Sequence, residues 1–150
     1  MKIVYYNRHP KEEWASEYGV TYLELDDLLA VSDYVSVNVP LTENTRGMFD
    51  LALFEKMKKG SIFINIARSQ IMDPNALKAV LDQNHLAGAA VDVFDSEPCT
   101  DSPLIGCPNA VLTPHTAPYT EENFSAMNEA AAQNVLDFIA GHLSGKNRVV

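Results

Sequence analysis

The chain is short of several things, and each shortage removes a class of function. It has two cysteines, Cys99 and Cys107, in no metal-type CxxC spacing, so a cysteine zinc centre and a disulfide scaffold are both disfavoured. Cysteine use this sparse suits a reduced, cytoplasmic protein with free thiols. No apolar run exceeds strand length, as in Ile3 to Tyr6, so no segment reads as a transmembrane helix, and the opening run is too short for a signal peptide. Basic residues are scarce: 11 Lys and Arg against 20 Asp and Glu leave a formal charge of −9, which disfavours nucleic acid and anionic membranes as partners. Seven glycines and eight prolines are too few for a collagen or linker composition. The remainder is ordinary for a folded protein: 150 residues, 47% apolar and 21% charged, enough for about one domain.

Strand-like runs alternate with helix-like ones. Ile3–Tyr6, Thr21–Leu23, Asp33–Val39, Ser61–Ile66, Leu86–Val93 and Ala110–Thr113 are short and apolar, mostly rich in β-formers, and read as strands. Lys11–Tyr18 reads as a helix stopped by Gly19. The leucine spacing at Leu25, Leu28 and Leu29 is helical. Asp50, Asp73 and Thr120 are N-cap candidates, with Pro74 at the first helical position after Asp73. Lys56, Lys58 and Lys59 are expected at the C-terminal end of the helix capped by Asp50, where cations complement the dipole. Phe124, Met127, Ala131, Val135 and Phe138 form an apolar stripe on the last helix. Such alternation predicts right-handed crossovers and a mostly parallel sheet.

Ligands of such sheets sit beyond the carboxyl ends of the strands. Asn7, Arg8, Arg68, Asp92 and His115 all fall at those ends. Taken singly, Arg68 reads as a surface ion pair, His115 as a packed or solvated imidazole, Glu97 as part of a solvated turn, and Asp92 as a structural hydrogen bonder or a ligand contact. Taken together they suit one reaction. Arg68 would hold a carboxylate and polarise the adjacent carbonyl. His115 would protonate the carbonyl oxygen as hydride arrives, and Glu97 would accept a hydrogen bond from the imidazole and favour its protonated form. Asp92 could accept from a carboxamide. The hydride itself requires a cofactor.

Val39-Pro40-Leu41-Thr42-Glu43-Asn44-Thr45, Met57-Lys58-Lys59-Gly60, Ile64-Asn65-Ile66-Ala67-Arg68, Ala89-Ala90-Val91-Asp92-Val93-Phe94, Glu97-Pro98 and Leu112-Thr113-Pro114-His115-Thr116-Ala117 resemble the D-isomer-specific 2-hydroxyacid dehydrogenases in order and spacing. Within that family the likeness is to the glyoxylate/hydroxypyruvate reductases. The resemblance implies a Rossmann-like fold, with Arg68, Glu97 and His115 as catalytic residues and Asp92 at the nicotinamide amide. It also implies that Val39, Pro40 and Thr45 line the adenosine and phosphate side, with Ile66 and Ala67 against the cofactor, and that the protein is a homodimer. Two departures stand out: Ser69 where the family usually has Gly after the Arg, and Ala117-Pro118-Tyr119 where many members have Gly-Gly or Gly-Ser.

In that frame Ile3–Tyr6 is the second strand of the fold. An acidic residue at its end would bind the ribose of NAD, but Asn7-Arg8 stands there, which suits the 2′-phosphate of NADP. None of the seven glycines forms a G-x-G-x-x-G. The expectation is therefore a partial NAD(P)-binding domain over residues 1–150, lacking the first strand, the phosphate-binding helix and the substrate domain, with Met1 an internal methionine of a longer protein. Strand 1 is central in this fold, so the strands Ile3–Tyr6 and Asp33–Val39 each lose a neighbour. Either the chain is cut from a longer one, or these two strands close against each other, or another chain fills the gap. Three functional readings follow: a reductase of small 2-oxo acids using NADP or NAD, an inert fragment that self-associates, and a relative oxidising formate or phosphite.

Overall fold

In the computed structural model the elements run β1 (Val4–Tyr5), α1 (Glu12–Tyr18), β2 (Thr21–Tyr22), α2 (Leu25–Val31), β3 (Tyr34–Val37), α3 (Leu51–Glu55), β4 (Ile62–Asn65), α4 (Pro74–Asp82), β5 (Gly88–Val91), β6 (Ala110–Leu112) and α5 (Glu121–Ile139). Residues 1–142 and 144–145 are described. They fall into two units, Met1–His115 and the described residues from Thr116 onward.

The first unit carries the sheets. β3, β4, β5 and β6 lie side by side in that order, all parallel, and β1 pairs in parallel with β2 as a separate sheet. The alternation along β3 and β4 decides which face is covered: Val35, Val37, Phe63 and Asn65 are buried. Phe63 meets Phe49 and Phe54 with ring centroids 4.9 and 5.0 Å apart. Leu29, Leu77, Val80, Leu86, Val91 and Leu104 complete this core. Burying each such side chain contributes about 1.5–3 kcal/mol. The glycine that opens β5 has a steric cause, since a Cβ on Gly88 would stand 3.1 Å from the Asn109 carbonyl oxygen.

The helix ends follow from local chemistry. Asp50 accepts from the Leu53 N–H, and Asp73 from the Asn75 N–H, each at 2.8 Å. Gly19, at φ 64°, ends α1 with its N–H on the Ala15 carbonyl. The lysine expectation holds for Lys56, which is the C-cap of α3, while Lys58 and Lys59 lie beyond the helix. Met57 turns into the core, and the Lys58 N–H bonds the Leu29 carbonyl, which draws the backbone off the helix axis. Lys56 and Lys58 reach Asp26 and Asp33, each at 2.7 Å.

β1 and β3 each keep one unpaired edge, so the alternative in which they close against each other is not what forms. In the second unit, Thr120 caps α5 by accepting from the Asn123 N–H at 3.2 Å. No residue of α5 is buried, and its apolar stripe, Phe124, Met127, Val135 and Phe138, is exposed. No described helix is long and apolar enough to cross a membrane. Cys99 and Cys107 are free thiols.

Candidate active site

Arg68 is placed by the residue that closes β4. The alternation turns Asn65 inward, where it is fully buried, and a buried amide must find partners. Its Oδ1 accepts from the Ala67 N–H and its Nδ2 donates to the Arg68 carbonyl, both at 3.0 Å. The backbone therefore curls directly after the strand, and a short 3₁₀ turn, Ser69–Ile71, follows. The exposed Arg68 side chain donates through Nη1 to the Ala67 carbonyl at 2.7 Å, which leaves the rest of its fork for a ligand.

The ends of β4, β5 and β6 are laced together. The Asp92 N–H bonds the Asn65 carbonyl, and the Thr113 N–H bonds the Val91 carbonyl, both at 3.1 Å. Asp92 is buried and accepts a short hydrogen bond from the Thr113 hydroxyl. Beyond this lacing the chain turns through Phe94 to Glu97. The Phe94 N–H donates to Glu97 Oε1 at 3.1 Å, and Glu97 Oε2 lies 2.8 Å from His115 Nδ1. The hydrogen bond to His115, and then the one from Phe94, hold the Glu97 carboxyl below the usual glutamate range, so it is an anion at neutral pH. His115 has φ 55°, in the left-handed region. A non-glycine residue there costs on the order of 1–3 kcal/mol and is typical of functional sites.

A cavity of about 210 Å³ is lined by Arg68, Ser69, Gln70, Val93, Phe94, Asp95, Glu97 and His115. The structure thus brings the three expected catalytic residues to one hollow. Ser69 Oγ donates to Asp95 Oδ1 across it at 2.6 Å. Sequence reasoning missed Asn65, Gln70 and this serine–aspartate pair. For Asn65 a signal existed, a polar side chain inside the apolar run Ile62-Phe63-Ile64-Asn65-Ile66.

The expected cofactor residues lie outside that hollow, along the strand ends. Asn7 and Arg8 follow β1 in a loop closed by Tyr5, whose hydroxyl donates to the Lys11 carbonyl and accepts from the Lys11 N–H, each at 2.9 Å. Val39 and Pro40 follow β3. The Thr45 hydroxyl is engaged within that loop, donating to the Pro40 carbonyl at 2.7 Å and accepting from the Thr42 N–H at 2.8 Å. Ile66 and Ala67 follow β4, and Asp92 follows β5. Among the described residues no group of three or more His, Cys, Asp or Glu is placed to hold a metal ion.

Residues 1–117 match the family described as D-isomer specific 2-hydroxyacid dehydrogenase, NAD binding domain. A glyoxylate reductase of Korarchaeum cryptofilum is 40% identical over 144 residues, which is 95% of this chain and 43% of that protein. A glyoxylate/hydroxypyruvate reductase B of Cronobacter sakazakii is 39% identical over 145 residues, 96% of this chain and 45% of that protein. The NAD-complexed D-isomer-specific 2-hydroxyacid dehydrogenase of Lactobacillus delbrueckii superposes with a TM-score of 0.83 at 30% identity, over 96% of this chain and 48% of that one. The chain spans less than half the length of these relatives. With its parallel sheet and the matched segments at the strand ends, the chain belongs to the D-isomer-specific 2-hydroxyacid dehydrogenases, within their NAD-binding domain.

Proposed function

We propose that this chain is the catalytic, cofactor-facing part of an oxidoreductase that reduces a small 2-oxo acid, such as glyoxylate or hydroxypyruvate, to the 2-hydroxy acid. The observation that carries the reading is the Glu97–His115 pair at 2.8 Å on the same cavity as Arg68. The free part of the Arg68 fork binds the substrate carboxylate and polarises its neighbouring carbonyl. With His115 Nδ1 taken by Glu97, Nε2 is the nitrogen left to protonate the carbonyl oxygen. The Glu97 carboxylate, 2.8 Å from Nδ1, holds the ring for that transfer.

The residues at the strand ends fit a nicotinamide dinucleotide, which supplies the hydride when bound. Asp92, oriented by Thr113, is the acceptor suited to the carboxamide. Ile66 and Ala67 lie beside it at the end of β4. Val39 and Pro40 line the adenosine and phosphate side, and Thr45 shapes their loop. Asn7 and the exposed Arg8 favour NADP over NAD, because a guanidinium pairs with a 2′-phosphate. A homodimer in the cytoplasm, where both thiols stay reduced, fits the same reading.

Loss of cofactor absorbance on mixing the chain with glyoxylate and NADPH, or NADH, tests this. Any turnover should be faster with NADPH than with NADH. Equal rates with both cofactors would remove the role given to Arg8. Arg68→Lys should lower kcat/KM roughly a hundredfold, since a point charge cannot replace the fork; an unchanged rate would remove Arg68 from the chemistry. The unpaired edges of β1 and β3 favour a second reading, an inert fragment that self-associates. No turnover together with no cofactor binding by calorimetry selects it.

A further inference from the structure

We propose that the Ser69–Asp95 hydrogen bond is a strut that fixes Arg68 at its working distance from the Glu97–His115 pair, which makes Ser69 and Asp95 positioning residues. The proposal rests on the reductase reading for its functional meaning and on the structure for its geometry. The three candidate catalytic side chains come from three places: the end of β4, the loop after β5 and the end of β6. Sheet pairing between the first two ends with the Asp92 N–H on the Asn65 carbonyl. Past that point the segments 66–72 and 93–98 rise separately on either side of the cavity. Among the described residues, the Ser69–Asp95 bond is the one hydrogen bond that rejoins them.

Both ends of the strut are anchored close to the chemistry. Ser69 is 7% exposed and directly follows Arg68, whose carbonyl is held by Asn65. Asp95 sits inside the turn that the Phe94 N–H closes onto Glu97. The connected order is therefore Asn65, the Arg68–Ser69 peptide, Asp95, the 94–97 turn, Glu97 and His115. At 2.6 Å the Ser69–Asp95 contact lies in the short range of hydroxyl-to-carboxylate bonds, the stronger class. A bond of that kind between two otherwise independent loops restricts the separation of the groups they carry.

The test begins in the cofactor-free chain. In Ser69→Ala and in Asp95→Ala, hydrogen exchange of the Phe94 amide should rise about fivefold, and in the double variant no further, because one bond is lost in all three. The His115 Nδ1 resonance should move in each, a signature that mere loss of packing at Ser69 would not give. Asp95→Asn keeps an oxygen acceptor and should stay close to wild type in both readouts. Unchanged exchange, or increases that add in the double variant, overturns the strut whether or not the chain turns over. In the glyoxylate assay the alanine variants should raise KM about tenfold at near-unchanged thermal stability, and Asp95→Asn should restore it. A wild-type chain without turnover ends the reductase reading and leaves the exchange comparison to decide the strut.

Discussion

Two residues show how far a single side chain reaches here. Glu97 is held below the usual glutamate range, first by the His115 hydrogen bond and then by the Phe94 N–H. The folded chain therefore binds that proton less readily than the unfolded one. Its contribution to stability is complete above the unfolded value of about 4.3 and is lost as pH falls through the lower folded value. Glu97→Gln should remove this part of the acid limb when urea midpoints are compared from about pH 6 down to about pH 2.5. A limb of unchanged slope would show that the pair does not form in solution. Asn65 works through the backbone, with one amide satisfying the Ala67 N–H and the Arg68 carbonyl while fully buried. Asn65→Ala leaves both groups without that partner and should cost about 2–4 kcal/mol in urea unfolding. It should also slow any turnover, because the curl that presents Arg68 is lost.

Elements were legible in the sequence where their ends are decided locally, and illegible where a distant residue decides. Asp50, Asp73 and Thr120 do cap helices, and Gly19 does end one, because each cap needs only its own next few amides. Lys56 was readable as the end of α3, whereas the ion pairs of Lys56 and Lys58 were not, since Asp26 and Asp33 lie 30 and 25 residues away. The Ser69–Ile71 turn depends on Asn65 finding its bonds, and the Ser69–Asp95 pair spans 26 residues, so no local pattern announces either. Arg68, Glu97 and His115 were legible only as an ordered set at strand ends, since the mechanism needs all three and none is distinctive alone. β5 shows the same dependence on tertiary context. Its small residues read as a strand, but the reason for Gly88 is the Asn109 carbonyl lying over it and accepting from the Ala89 N–H at 2.9 Å. A Cβ there asks that oxygen to give way by a few tenths of an ångström, which stretches its bond to Ala89, so Gly88→Ala should destabilise by about 1 kcal/mol in thermal or urea unfolding.

For the molecule as a whole, the sheet divides where a parallel doubly wound order has its centre. β2 and β1 stand on one side, and β3 to β6 on the other. The family resemblance made that division readable, because it placed Ile3–Tyr6 as the second strand of the doubly wound order, next to a central strand absent from these residues. The question of whether the two edges would meet was left open, and in the structure β1 and β3 do not pair. The open edge of β3 can be assigned residue by residue. The Ile62 N–H bonds the Asp33 carbonyl, so Asp33, Val35 and Val37 point their backbone groups at β4. Tyr34 and Ser36 then point theirs outward, and the Ser36 carbonyl accordingly takes the Asn38 side-chain amide at 3.2 Å instead of a strand. An unpaired N–H on a parallel edge is a template for a second chain. The isolated chain should therefore show concentration-dependent association in sedimentation velocity. Ser36→Pro deletes an outward donor while sparing the β4 ladder, and should weaken that association about tenfold with little change in helix content. If the variant associates as strongly as wild type, the β3 edge is not the contact. Phe124→Glu and Phe138→Glu together then test the exposed stripe of α5, and association that falls in this double variant assigns the contact to that stripe.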